Sequence, residues 1–142
     1  DWVVVGDMGP GFSWNRMNLA FRALRGGAAF LALHKSPFWN SGAEGLVLDA
    51  GSYVAALECA TGRSAELVGK PAPEFFRLAL SELGVAPADV LVVGDSLETD
   101  MRGGAAVGCQ TALVGHPPLE ALDGFQPHLE LGSIADLVPL LS

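Results

Sequence analysis

Apolar and polar residues fall in blocks along this chain, and the period changes from block to block. DWVVVGD (1–7) is a short apolar run ending at glycine, which predicts a buried strand. SWNRMNLAFRALRGG (13–27) spaces Met17, Leu19, Ala20, Phe21, Ala23 and Leu24 for a helix face. Ser13 stands where it can cap that helix, and Gly26-Gly27 stop it. AAFLALHK (28–35) predicts a second buried strand, SPFWNSGAEG (36–45) a loop and GSYVAALECATG (51–62) a short helix between glycines. SAELVGKP (64–71) carries a short strand that stops at Pro71.

The rhythm sharpens in the second half. Pro73 suits the first turn of a helix, and EFFRLALSELG (74–84) continues it at helical spacing until Gly84. VLVVGD (90–95) is continuously apolar up to its glycine, as a strand covered on both faces should be. A short helix is expected over 98–108, a strand over 109–115, a loop over 116–127, a weak strand over 128–131 and a last helix over 133–142, opened by Ser133. Strands alternating with helices predict an α/β fold built on a parallel sheet.

Composition narrows the functional classes. The chain has 142 residues, half of them apolar and 17% charged, enough for one domain or for parts of two. A net charge of −8 argues against a nucleic-acid partner, because neutralising phosphates requires Lys and Arg. No apolar run approaches the ~20 residues of a membrane-spanning helix, so no membrane partner is expected. Cys59 and Cys109 lack metal-type spacing. They predict buried, reduced thiols and a cytoplasmic setting.

The chemistry concentrates in VLVVGDSLETDMRGG (90–104), where a greasy strand runs into two acids. Ligands of a parallel sheet bind beyond the carboxyl ends of its strands, which is where Asp95 is expected. Asp100 is expected at the start of the next helix. Two acids that converge there repel one another unless a cation or a shared proton lies between them. Oxygen-only ligation suits Mg²⁺. Lys70 precedes one helix and one strand before Asp95, so a β-α-β crossover would bring Lys70, Asp95 and Asp100 to one sheet edge. A lysine beside carboxylate-held Mg²⁺ can bind and transfer a phosphoryl group. The plainer alternatives are a helix-capping aspartate and a solvated lysine.

Other features are weaker. GDMGPG (6–11) follows a strand but is not GxGxxG, and Pro10 removes a backbone donor. His34 and Lys35 end a strand and are candidate substrate contacts. Trp14, Phe38 and Trp39 read as packing residues or cap-cap contacts rather than a base-stacking platform, Arg102 as a solvated helix residue, and His116 as a loop residue without a metal-binding partner.

VVGDSLETD resembles the GDxxxxD motif of the haloacid dehalogenase-like (HAD) phosphohydrolases, and VGKPAPEFFRLALSELGV resembles their lysine-bearing third motif. FLALHKSPFWNSGAEGLVLDAGSYVAALECATG is similar to the cap segment of the type IIA cap subgroup, which includes 4-nitrophenylphosphatase-like enzymes. LGSIADLVPLL resembles the final helix of that subgroup, so the resemblance spans essentially the whole chain. It implies a Rossmann-like parallel sheet, the C-terminal half of a HAD core over 64–142, with part of an α/β type II cap over 1–63. It implies a Mg²⁺-dependent phosphatase that hydrolyses a small phosphorylated substrate, a monoester, phosphoamide or pyrophosphate, through an aspartyl-phosphate. Lys70 would then be catalytic, Asp95 a direct Mg²⁺ ligand, and Asp100 a ligand through water or a positioning partner.

One departure matters. The family nucleophile motif is Asp-x-Asp, and the aspartates here are 1, 7, 49, 89, 95, 100, 123 and 136, no two of them two apart. The chain therefore reads as a C-terminal fragment with half an active site, expected to be inactive alone. The competing reading is a non-catalytic module for cap-mediated homodimerisation or protein binding. A receiver-type domain fits less well, since it too needs an acceptor aspartate on an earlier strand.

Overall fold

The computed structural model describes residues 1–115 and 124–140. The loop expected over 116–127 lies largely outside the described residues, as does His116. The described chain is an α/β fold that divides into two compact units, Asp1–Gly69 and Lys70–Ser142.

The first unit is built on a parallel sheet of order β1-β2-β5, from β1 (Trp2–Val5), β2 (Ala29–Ala32) and β5 (Glu66–Leu67). Val3 lies opposite Phe30 and Val5 opposite Ala32, so these four side chains share one sheet face. That face packs against α1 (Trp14–Arg25) and α2 (Ala50–Thr61), in a core that includes Leu24, Val54 and Leu57. Each buried aliphatic side chain of this kind contributes roughly 1.5–3 kcal/mol. Trp2, Val4 and Leu33 fall on the opposite face and remain 68%, 54% and 48% exposed. Ser13 caps α1 by accepting from the Arg16 N–H. Asp49 caps α2, which ends at Gly62 with φ of 68°, a conformation that favours glycine.

The sequence reading missed an antiparallel hairpin, β3 (Phe38–Asn40) inside the expected loop with β4 (Leu46–Leu48) just past it. Its strands are three residues long and leave Phe38, Trp39, Leu46 and Leu48 exposed, so no inward-facing alternation marks them. Cys109 is buried as expected, but Cys59 is exposed on α2.

The second unit holds a parallel sheet of order β6-β7-β8, from β6 (Leu91–Gly94), β7 (Gln110–Val114) and β8 (Leu129–Leu131). Helix α3 (Pro73–Leu83) starts at its proline, and α4 (Arg102–Ala106) follows a π-helical turn over Leu97–Met101. The Gly-Gly pair has a packing cause. A Cβ on Gly103 would overlap the Phe76 ring, and one on Gly104 would press on Val92 at 2.8 Å. The expected last helix is a 3-10 segment, Ile134–Leu140, with Pro139 inside it. Proline lacks the N–H that an α-helix would need there.

The expected crossover is corrected by the strand pairing. β5 pairs with β2, and the Val68 N–H donates to the Ala32 carbonyl at 3.0 Å. It does not pair with β6, and residues 64–69 fall in the first unit. Gly69 makes this possible, since any Cβ there would collide with the Leu33 carbonyl. Lys70 thus opens the second unit.

Candidate functional site

Beyond β6 the chain passes Asp95 and winds tightly around Ser96. The Ser96 carbonyl accepts from the Asp100 and Met101 N–H groups, both at 3.1 Å. Its hydroxyl oxygen accepts from the Thr99 N–H at 3.2 Å. This turn folds Asp100 back onto Gly94, close enough that a Cβ on Gly94 would overlap the carboxylate. Glycine is thus required here by close approach.

The Asp100 side chain is only 9% exposed. A carboxylate that far from water needs partners. Its Oδ1 accepts from Lys70 Nζ at 2.7 Å, and its Oδ2 from the Ser96 N–H at 3.3 Å. The Lys70 side chain is 46% exposed, so its ammonium keeps donors for a group arriving from solvent. The peptide between Lys70 and Pro71 is cis. Asp95 is exposed at the strand tip and makes no ion pair among the described residues.

The structure therefore joins Lys70 to Asp100 directly and sets Asp95 just past the end of the same strand as Gly94. Asp95 and Asp100 offer oxygen donors only, which fits a hard cation such as Mg²⁺. Among the described residues no group of three or more His, Cys, Asp or Glu gathers around a common point.

His34 and Lys35 lie in the first unit, and each sits beside an acid. His34 Nε2 is 3.6 Å from Asp49 Oδ1, and Lys35 Nζ is 2.7 Å from Glu58 Oε1. The Lys35 hydrogen bond, with help from the Ala65 N–H, holds the Glu58 carboxyl below its usual range. Burial pushes the Cys109 thiol up. Arg102 is less solvated than expected: its Nε lies 3.1 Å from Glu98 Oε1, and its guanidinium lies 5.6 Å from the Phe125 ring centroid.

Sequence reasoning overlooked Ser96, which both shapes the turn and donates to Asp100. The available signal was a serine directly ahead of a helical segment, a common N-cap.

Residues 67–136 match the HAD-hydrolase-like family model. The phospholysine phosphohistidine inorganic pyrophosphate phosphatase of Bos taurus is 36% identical over 98% of this chain and 53% of its own length. The chain thus spans about half the length of the curated relatives it matches. Among solved structures, the p-nitrophenyl phosphatase from Archaeoglobus fulgidus superposes with a TM-score of 0.86 at 32% identity, over 98% of this chain and 56% of that one. The glycerol phosphate phosphatase from Mycobacterium tuberculosis, in complex with magnesium, superposes at 0.80 with 33% identity, over 94% of this chain and 41% of that one.

Proposed function

The chain belongs to the haloacid dehalogenase-like hydrolases, and from that premise we propose that it supplies the lysine and Mg²⁺-ligand half of a phosphatase site. The observation that carries this reading is the 2.7 Å pair between Lys70 and a nearly buried Asp100, next to the strand-tip Asp95. Lys70 neutralises charge on the phosphoryl group and on the attacking carboxylate. Asp100 positions the Lys70 ammonium. Asp95 and Asp100 would hold Mg²⁺, which would supply further positive charge to the site.

The attacking carboxylate comes from sequence outside these 142 residues, since no Asp-x-Asp occurs among them. It forms a bond to phosphorus as the bond to the leaving group breaks, and the departing atom takes a proton from a general acid. Water then releases inorganic phosphate from the aspartyl-phosphate. The substrate is a small phosphate monoester, a phosphoamide or pyrophosphate. The relatives named above are phosphatases by their names.

The test is phosphate release from an aryl phosphate with Mg²⁺. The 142-residue chain is assayed alone and joined to an N-terminal segment bearing an Asp-x-Asp strand. Activity only in the joined form, lost in Asp95→Ala, is the expected result. Turnover by the short chain alone would place the nucleophile among its own residues and sink the mechanism.

A second reading, homodimerisation through the first unit, draws on the exposed Trp2, Val4 and Leu33 face. Sedimentation of the wild type beside Trp2→Ser/Val4→Thr decides it. A monomeric wild type removes that reading.

A further inference from the structure

We propose that His128 is a pH-sensitive latch, which holds β8 to β7 only while its imidazole is neutral.

The strand register creates the need for it. β7 is the middle strand of its sheet, and its N–H groups point alternately to the two neighbours. The Gln110 N–H donates to the Val90 carbonyl on the β6 side, and the Gly115 N–H to the Leu131 carbonyl on the β8 side, both at 2.9 Å. Thr111 therefore turns its N–H towards β8, yet the pairing there begins one residue later, with Ala112 opposite Leu129. The His128 ring takes the place a backbone carbonyl would fill. The Thr111 N–H donates to its Nδ1 at 3.1 Å. Thr111 Oγ1 lies 3.0 Å from the same nitrogen and accepts from the His128 N–H at 3.3 Å.

An imidazole nitrogen accepts through its lone pair, so this arrangement places the ring proton on Nε2. Protonation of Nδ1 sets one N–H against another. The Thr111 hydroxyl can rotate and accept the new proton, but the amide cannot reverse its role. Thr111 is wholly buried, so its N–H has no water to turn to. His128 itself is exposed, so protons reach the ring freely. The pairing is complete when the ring is neutral. It weakens as pH falls through the range where an imidazole gains its proton, around about pH 6.5.

No neighbouring acid stands ready to compensate the new charge. The surrounding charged groups are Asp89 ahead of β6, Glu130 on β8, Asp136 beyond it, and Glu98, Asp100 and Arg102 on the turn and helix behind β7. Among the described residues none of them forms an ion pair with His128. Glu98 pairs with Arg102, Asp100 with Lys70, and Asp136 accepts from the Ser133 N–H. Phe125, just ahead of His128, packs on the cluster of Leu97, Met101 and Leu113. Leu97 and Met101 bound the turn that carries Asp100, so freeing β8 also frees a segment that covers that turn.

Hydrogen exchange of the 142-residue chain, read by NMR, tests the latch. Protection of the β7 amides is compared at about pH 7.5 and about pH 5.5, after correction for intrinsic exchange. The β8-facing Thr111, Leu113 and Gly115 amides should lose about tenfold in protection at the lower pH, while the β6-facing Gln110 and Ala112 amides keep theirs. A long-range proton–nitrogen correlation spectrum at the higher pH should show His128 with its proton on Nε2. His128→Asn keeps an acceptor that does not titrate, so its protection should be equal at the two pH values. His128→Ala should show the low-pH pattern at both. A proton on Nδ1 in the folded chain at the higher pH overturns the proposal. So does an equal loss at the β6-facing amides, which means that the whole second unit opens. A pH response in His128→Asn as large as in the wild type overturns it as well.

Discussion

Lys35 and Lys70 each meet a carboxylate at 2.7 Å, one in each unit, but the two pairs have different surroundings. Lys35 follows β2 and reaches Glu58 on α2, whose Oε1 also accepts from the Ala65 N–H ahead of β5. That carboxylate ties together a strand, a helix and the approach to a second strand. Lys70 reaches Asp100, which sits on a tight turn against Gly94, with an exposed second acid one residue past that glycine. Contact length alone therefore does not assign a lysine its role. What distinguishes the pairs is what lies around them: Glu58 is shared between Lys35 and the Ala65 N–H, whereas the exposed Asp95 stands one residue past the glycine against which Asp100 packs.

The largest expected effect comes from removing the two ammonium groups in turn. In the joined, active form, Lys70→Met should lower kcat by roughly 10²–10³-fold, the usual scale for deleting one donor that stabilises transition-state charge. The change also leaves the nearly buried Asp100 carboxylate without its cation, so circular dichroism and a thermal melt of Lys70→Met must show a folded protein before the rate is compared. Lys35→Met should leave kcat/KM unaltered. Equal losses in the two variants would erase the contrast and support Lys35 as a substrate contact.

Next in size is Gly94→Ala. The added methyl overlaps the Asp100 carboxylate, and overpacking of this kind costs roughly 1–3 kcal/mol. Hydrogen exchange should speed up in β6 and β7 and stay unchanged in β1 and β2. Adding Asp100→Gly should remove the clash and recover stability but not turnover. Failure to recover would show that Gly94 has a role beyond making room for Asp100.

The two units were unequally legible in the sequence. The strand ending at Asp95 was clear because a run of four apolar residues closed by glycine leaves few alternatives. Lys70 and Asp100 were correctly grouped, but by the wrong route. A two-residue strand such as β5 does not declare its sheet, and the close passage of Gly69 past Leu33 decides it. The hairpin over 38–48 was hidden because its apolar residues point to solvent. The π-helical turn was read as ordinary helix, since its departure lies in backbone bonds one residue too long, Met101 N–H to the Ser96 carbonyl and Arg102 N–H to that of Leu97, which leave no compositional mark. The acids and the lysine could be read as residues, but the geometry that separates Lys70 from Lys35 could not.

The smallest effect tests the structural member of the pair. Glu58 is held below its usual range first by the Lys35 hydrogen bond and then by the Ala65 N–H. A glutamate in the unfolded chain titrates near about pH 4.3. A depressed folded value means the stabilisation is fully present above that pH and drains away as pH falls through the lower folded value. The first unit should therefore lose stability on acidification below about pH 4, by no more than ~1 kcal/mol, because the pair is partly exposed to solvent. Lys35→Met should flatten that acid limb, and Glu58→Gln should abolish the contribution. Thermal melts between about pH 5 and pH 3 would show it. An acid limb identical in all three proteins would mean that Lys35 does not hold Glu58 in solution, and the structural role assigned to that lysine would fall with it.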